Sequence, residues 1–283
     1  MNTTEHELTD ALNTLEWLVA MGATDAVGDA PVDRTTPVEK SAATAVENRE
    51  NAQPSPQGQM TTPSAAPSTI IEAKSQKAPV VVDESAYEAA KGAKTVEELY
   101  DAVQAFEGCS LKRTANTTVF ADGNPNAPVM IIGEAPGADE DRTGVPFEGE
   151  SGQLLNRMLK AAGWSRGEDT YLTYVVPWRP LGNRTPNAQE IALCQPFLTR
   201  HIELAKPKVL ILLGSVSAQS VLGVKDGISK VRGKWHDHQK GDETIQAMAM
   251  FHPSYLLRQP RQKALAWKDL LEIKAKLGQS AQE

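Results

Sequence analysis

An apolar strand that breaks abruptly into a glycine-rich acidic loop constrains this chain more than any other feature. Residues 131–149 read Ile-Ile-Gly-Glu-Ala-Pro-Gly-Ala-Asp-Glu-Asp-Arg-Thr-Gly-Val-Pro-Phe-Glu-Gly. Such a run delivers polar groups and one large ring, Phe147, to the mouth of a sheet. A second delivery lies near the C-terminal end, where residues 247–251 run into His252-Pro253-Ser254-Tyr255-Leu256-Leu257-Arg258.

Between and around these segments, strand and helix patterns alternate. Apolar runs predict strands over 129–132, 171–176, 209–213 and 245–250. Helical spacing predicts helices over 152–162, 187–205, 217–222 and 261–276, with Asn187 and Glu190 in capping-box spacing at the second of these. Another helical stretch covers 85–106, with Thr95 as an N-cap before Val96. This alternation predicts an α/β fold: a three-layer sandwich with a central, mainly parallel four-stranded sheet and helices on both faces. In such sheets ligands bind outside the carboxyl ends of the strands. Glu134, Asn183 and His252 all fall just beyond predicted strand ends.

The rest of the chain differs in character. Residues 30–82 are rich in Ala, Pro, Ser, Thr and Gln and contain no aromatic ring, which predicts a disordered linker. Ahead of it, Leu8, Leu12, Leu15, Trp17, Leu18 and Val19 recur at helical spacing. Residues 1–29 are therefore expected to form a short amphipathic helix segment that contacts its own domain or a protein partner. The catalytic-sized domain is expected over 83–283.

Charge divides along the same boundary. The net charge of −7 comes from residues 1–106, with 7 basic and 17 acidic side chains, whereas 107–283 holds 22 basic and 19 acidic. A mildly positive C-terminal part is compatible with phosphate contacts without requiring them. Two cysteines, a polar acidic start and the absence of a long apolar run point to a soluble protein of a reducing cytoplasm, with no membrane partner.

The two loop motifs, with Asn183-Arg184-Thr185-Pro186 between them, resemble the active-site motifs of the uracil-DNA glycosylase superfamily, most closely its family 4, over roughly residues 107–278. That resemblance implies a DNA glycosylase that flips a uracil or related deaminated base out of the helix and hydrolyses its glycosidic bond. It implies catalytic roles for Glu134, His252, Glu140 and Asn183, and a substrate-binding surface of Gly133, Ala135, Phe147, Tyr174, Ser254 and Arg258. Phe147 would stack on the base, approached through Pro146 and flanked by Gly144 and Gly149. His252 would donate to a base carbonyl, while Ser254 and Arg258 would hold flanking phosphates. Glu140 and Asp141 read equally well as solvated loop acids.

Two positions depart from the family pattern. Where family 4 carries an asparagine that distinguishes uracil from cytosine, this chain has Tyr174, whose phenol cannot reproduce an amide's paired contacts. Family 4 also holds an iron–sulphur cluster on four cysteines. Here Cys109 and Cys194 match two of those positions and Phe106 and Trp178 the other two. The expectation is apolar packing in place of the cluster, and no metal or cofactor. The sequence reading is thus a monomeric, cofactor-free uracil-DNA glycosylase of base excision repair, in a bacterial cytosol or nucleoid. The alternative is a DNA-binding protein of the same fold with weak or lost excision. An unrelated hydrolase using Ser254 and His252 lacks a third, orienting residue.

Overall fold

Val129 and Ile131 pack to one side of a central strand while Met130 and Ile132 pack to the other. Both faces of the sheet therefore need a helical cover, as the continuous apolar runs predicted. The computed structural model describes residues 84–240 and 243–279, which fall in one compact unit. The expected N-terminal helix segment and linker lie outside the described residues.

The sheet has six strands: β1 (Ala121–Gly123), β2 (Val129–Gly133), β3 (Thr170–Tyr174), β4 (Val209–Leu213), β5 (Trp235–Lys240) and β6 (Glu243–Met250), in the order β1-β3-β2-β4-β6-β5. The four expected strands form the centre, and all three of their pairings are parallel. The expected four-stranded sheet is corrected to six by an antiparallel strand at each edge. β1 is only three residues long and ends in Gly123. β5 carries His236, Asp237 and His238, so neither has the apolar run that marks a central strand.

One face is covered by α1 (Glu84–Gly92), α2 (Val96–Ala105), α5 (Ala188–Ala205) and α6 (Ser215–Leu222). The other face is covered by α4 (Glu150–Ala161), α8 (Pro253–Arg258) and α9 (Lys263–Gln279). The remaining short helices are α3 (Ala138–Thr143) in the acidic loop and α7 (Ile228–Val231). Helix starts follow the sequence signals: Thr95 accepts from the Glu98 amide at 3.2 Å, and Asn187 accepts from the amides of Gln189 and Glu190. The Glu190 carboxylate returns the bond to the Asn187 amide at 2.8 Å. No helix among the described residues is long and apolar enough to cross a membrane.

Candidate active site

The parallel strands β2, β3, β4 and β6 all end on one edge, and the loops that follow them enclose a cavity of about 770 Å³. Glu134, Ala135, Glu140, Phe147, Tyr174, Asn183, His252, Ser254 and Arg258 all line it. Gly133 lies directly beneath. A β-carbon there would sit 2.7 Å from both the Phe147 and the Tyr174 ring, so the last residue of β2 has no room for a side chain.

Phe147 has a backbone φ of +54°, a conformation that costs a bulky residue about 1–3 kcal/mol. Its ring is 1% exposed and tilts over Tyr174, with centroids 4.8 Å apart, and lies 6.1 Å from the His252 ring. The Phe147 amide donates to the Tyr174 hydroxyl at 2.9 Å. Tyr174 lines the cavity and also helps to hold the Phe147 segment. Burial pushes its phenol well above the ordinary tyrosine range, so it stays neutral.

The acids of the first loop divide by what their oxygens touch. Glu140 accepts from the amides of Gly137, Glu148 and Gly149, which ties the start of α3 to the loop beyond it. Asp141 is held by the amides of Asn116 and Thr117 and by the Asn116 side chain. Glu140, expected among the catalytic groups, thus has both oxygens engaged by the backbone. Glu134 differs. Burial raises its pKa, opposed by a hydrogen bond from Thr185, and no backbone amide among the described residues ties its carboxylate down.

His252 caps the N-terminus of α8. Its Nδ1 accepts from the Ser254 backbone amide at 3.2 Å and lies 2.8 Å from the Ser254 hydroxyl. An Nδ1 that accepts an amide carries no proton, so the ring's proton sits on Nε2. Burial, with the Arg258 charge second, pushes the imidazole down to about 4. His252 is then a neutral donor through Nε2. The Ser254 hydroxyl, expected on a phosphate, is turned toward the histidine instead. Arg258 lines the cavity and forms no ion pair among the described residues.

The Asn183 segment enters through the 3₁₀ turn Leu181–Asn183, with Asn183 itself at φ +55°. The Asn183 side-chain oxygen accepts from Arg179 at 2.7 Å. Arg184 forks onto the buried Glu190 carboxylate at 2.9 and 2.6 Å, which fixes the loop that carries Thr185 to Glu134. Thr185 and Arg179 were not singled out as site residues in the sequence, because a hydroxyl or a guanidinium in a loop has no spacing signature. Gly214, with φ +95°, takes a backbone conformation that side chains rarely adopt at the turn from β4 into α6, beside His252.

The cluster position is filled differently from the family pattern. Phe106 and Trp178 stack with centroids 6.4 Å apart, beside the buried Cys109 and Cys194. Interaction between the two thiols lowers the Cys109 pKa to about 7 and raises that of Cys194. Two thiols and two apolar rings do not supply the four thiolates that a cubane requires. Among the described residues no cluster of three or more His, Cys, Asp or Glu is placed to hold a metal ion.

The chain is similar in sequence to known proteins. The sequence model of the uracil DNA glycosylase superfamily matches residues 120–271. The chain is 35% identical to a type-4 uracil-DNA glycosylase of Pyrobaculum aerophilum over 62% of its own length and 91% of the relative's. It is 34% identical to a type-4 enzyme of Archaeoglobus fulgidus, over 59% and 85% of the two chains. With one from Thermotoga maritima the identity is 39%, over 58% and 83%. The matched span contains both loop motifs and every strand, and on these grounds the chain belongs to the uracil DNA glycosylase superfamily, alongside its type-4 members.

Proposed function

We propose that this protein is a monofunctional uracil-DNA glycosylase that hydrolyses the N-glycosidic bond of a flipped uracil, or a related deaminated base, in base excision repair. Water adds to C1′ of the deoxyribose while the bond to the base nitrogen breaks. The bonding electron pair leaves with the base, the proton lost by the water ends on that base, and an abasic site with a hydroxyl at C1′ remains. His252 donates its Nε2 proton as a hydrogen bond to the base carbonyl where negative charge gathers. Glu134 supplies the carboxylate that faces the positive sugar or orients water, with Asn183 beside it. Phe147 stacks on the base, and Arg258 meets a flanking phosphate. Glu140 acts by holding the loop. The enzyme works as a monomer in the cytosol, with residues 83–283 as its catalytic domain.

The observation that carries this reading is the hydrogen bond from the Ser254 amide to His252 Nδ1. A neutral imidazole with Nδ1 satisfied by the Ser254 amide has one free function, a donor, and it lines the same cavity as the Phe147 ring and the buried Glu134 carboxylate. The test is single-turnover excision of uracil from single-stranded and mismatched duplex oligonucleotides, alongside equilibrium binding. His252→Ala and Glu134→Ala are each expected to slow excision by roughly two orders of magnitude with binding nearly intact, because their contacts strengthen as charge develops. Wild-type excision in both variants would refute the assignment.

One observation favours the second reading, a DNA-binding protein of this fold with weak excision. The Tyr174 ring packs against Phe147 where a base would seek contact. Failure of the wild-type chain to release uracil, with DNA still bound, would select it.

A further inference from the structure

Arg166 does not line the cavity, yet its guanidinium joins the Pro146 and Phe147 carbonyls to Asp122 and Asn156. One terminal nitrogen donates to the Phe147 carbonyl at 3.2 Å and to the Asn156 side chain at 2.8 Å. The other donates to the Pro146 carbonyl. Nε donates to Asp122 at 2.7 Å, so the fork is anchored to β1 on one side and to α4 on the other. The Phe147 amide is held from the opposite direction by Tyr174. Beneath the same carbonyl runs α4, close enough that a β-carbon on Gly152 would lie 1.5 Å from the Phe147 oxygen. A residue with φ +54° is thus clamped at its amide, at its carbonyl and at the preceding carbonyl.

Resting on the reading of this cavity as a base pocket, we infer that Arg166 is a positioning residue for the stacking ring. It holds Phe147 in a left-handed conformation that the chain would otherwise leave, and so sets the ring plane on which a flipped base is received. Only a planar guanidinium can serve four acceptors in this geometry. A lysine would keep the charge opposite Asp122 but not the fork.

The test compares wild type with Arg166→Lys and Arg166→Gln, and with Arg200→Gln as a stability control. Arg200 bonds to the Ala93 carbonyl and Glu203, far from Phe147 in the fold. Four quantities are measured: melting temperature, single-turnover excision at saturating DNA, inhibition by free uracil, and affinity for abasic-site DNA. Both Arg166 variants should lose roughly ten- to a hundredfold in excision. They should lose a similar factor in inhibition by uracil, with abasic-site affinity held within about twofold because phosphate contacts do not pass through the ring. Arg200→Gln should lower the melting temperature and leave the other three unchanged. Wild-type excision and uracil inhibition in Arg166→Lys would overturn the inference, since the ion pair with Asp122 would then be sufficient. If the wild-type chain itself neither excises nor binds uracil, the base-pocket reading fails instead. In that case the clamp is judged by hydrogen exchange at the Phe147 amide. Faster exchange in Arg166→Gln than in Arg200→Gln supports the clamp, and equal exchange overturns it.

Discussion

Tyr174→Asn is expected to lower stability while shifting base preference toward uracil. Removing the phenol leaves the Phe147 amide without its buried acceptor, which costs about 1–3 kcal/mol. Losing a ring that is 5% exposed and packs on Phe147 at 4.8 Å adds to this, and aromatic truncations in cores cost about 3–5 kcal/mol in total when cut to alanine. With the asparagine filling part of the space, we expect a net loss of about 3–4 kcal/mol. A domain of this size then melts about 10 °C lower but still folds. The same change opens the cavity and places an amide where a base edge would lie. Uracil excision should therefore rise relative to hypoxanthine and xanthine by about 1–3 kcal/mol of discrimination, the worth of a buried hydrogen bond. Tyr174→Phe separates the two effects, because it removes only the hydroxyl. It should lose about 1–3 kcal/mol of stability and gain no excision. Thermal melts and single-turnover excision of the three bases measure all of this. A Tyr174→Asn protein with lowered melting temperature and unchanged base preference would refute the reasoning and leave base choice to other groups.

Buried neutral histidines make a prediction about acid. Burial lowers His252 to about 4 and His201 to about 3, well below the roughly 6.5 of an unfolded chain. Between those values the unfolded state binds more protons, so stability is full above about pH 6.5 and falls as pH drops toward 4. Urea unfolding at pH 7.5 and 4.5 should show a larger loss for wild type than for His252→Gln; equal losses would place the His252 pKa near its ordinary value. The cysteine site gives another prediction. Purified without oxygen, the protein should be colourless and free of stoichiometric iron and acid-labile sulphide, because Phe106 and Trp178 stand where two of the four thiolates would be needed and only Cys109 and Cys194 remain. Brown protein with iron in proportion to chain would overturn that reading of the site.

Much of the site was legible because its residues follow strands. An apolar run followed by a polar loop marks a strand end in any α/β chain, and this located Glu134 and His252 before any coordinates. The edge strands were not legible, because β1 is too short and β5 too polar to carry a periodic apolar signal. Arg166 was not legible either. It stands in the turn before β3, and nothing in its neighbourhood along the chain marks it, since its partners Asp122, Pro146, Phe147 and Asn156 come from three other segments. Loop acids were the hardest to sort. Glu134, Glu140 and Asp141 look alike in sequence, and only the placement of backbone amides around two of them separates anchors from a candidate reactive group.

Local patterning by itself determined the parallel centre of the sheet, the helices on its two faces and the edge on which a site must lie. These follow from period-2 and period-3.6 burial, which each short stretch of chain carries on its own. The tertiary structure decided which way the chemistry points. The His252 imidazole is kept neutral because the fold buries it, and the Phe147 segment is held in place because an arginine from another loop grips its carbonyl. Hydrogen bonds between distant segments have no period along the chain, so their effects on protonation and backbone strain exist only once the fold has brought the partners together.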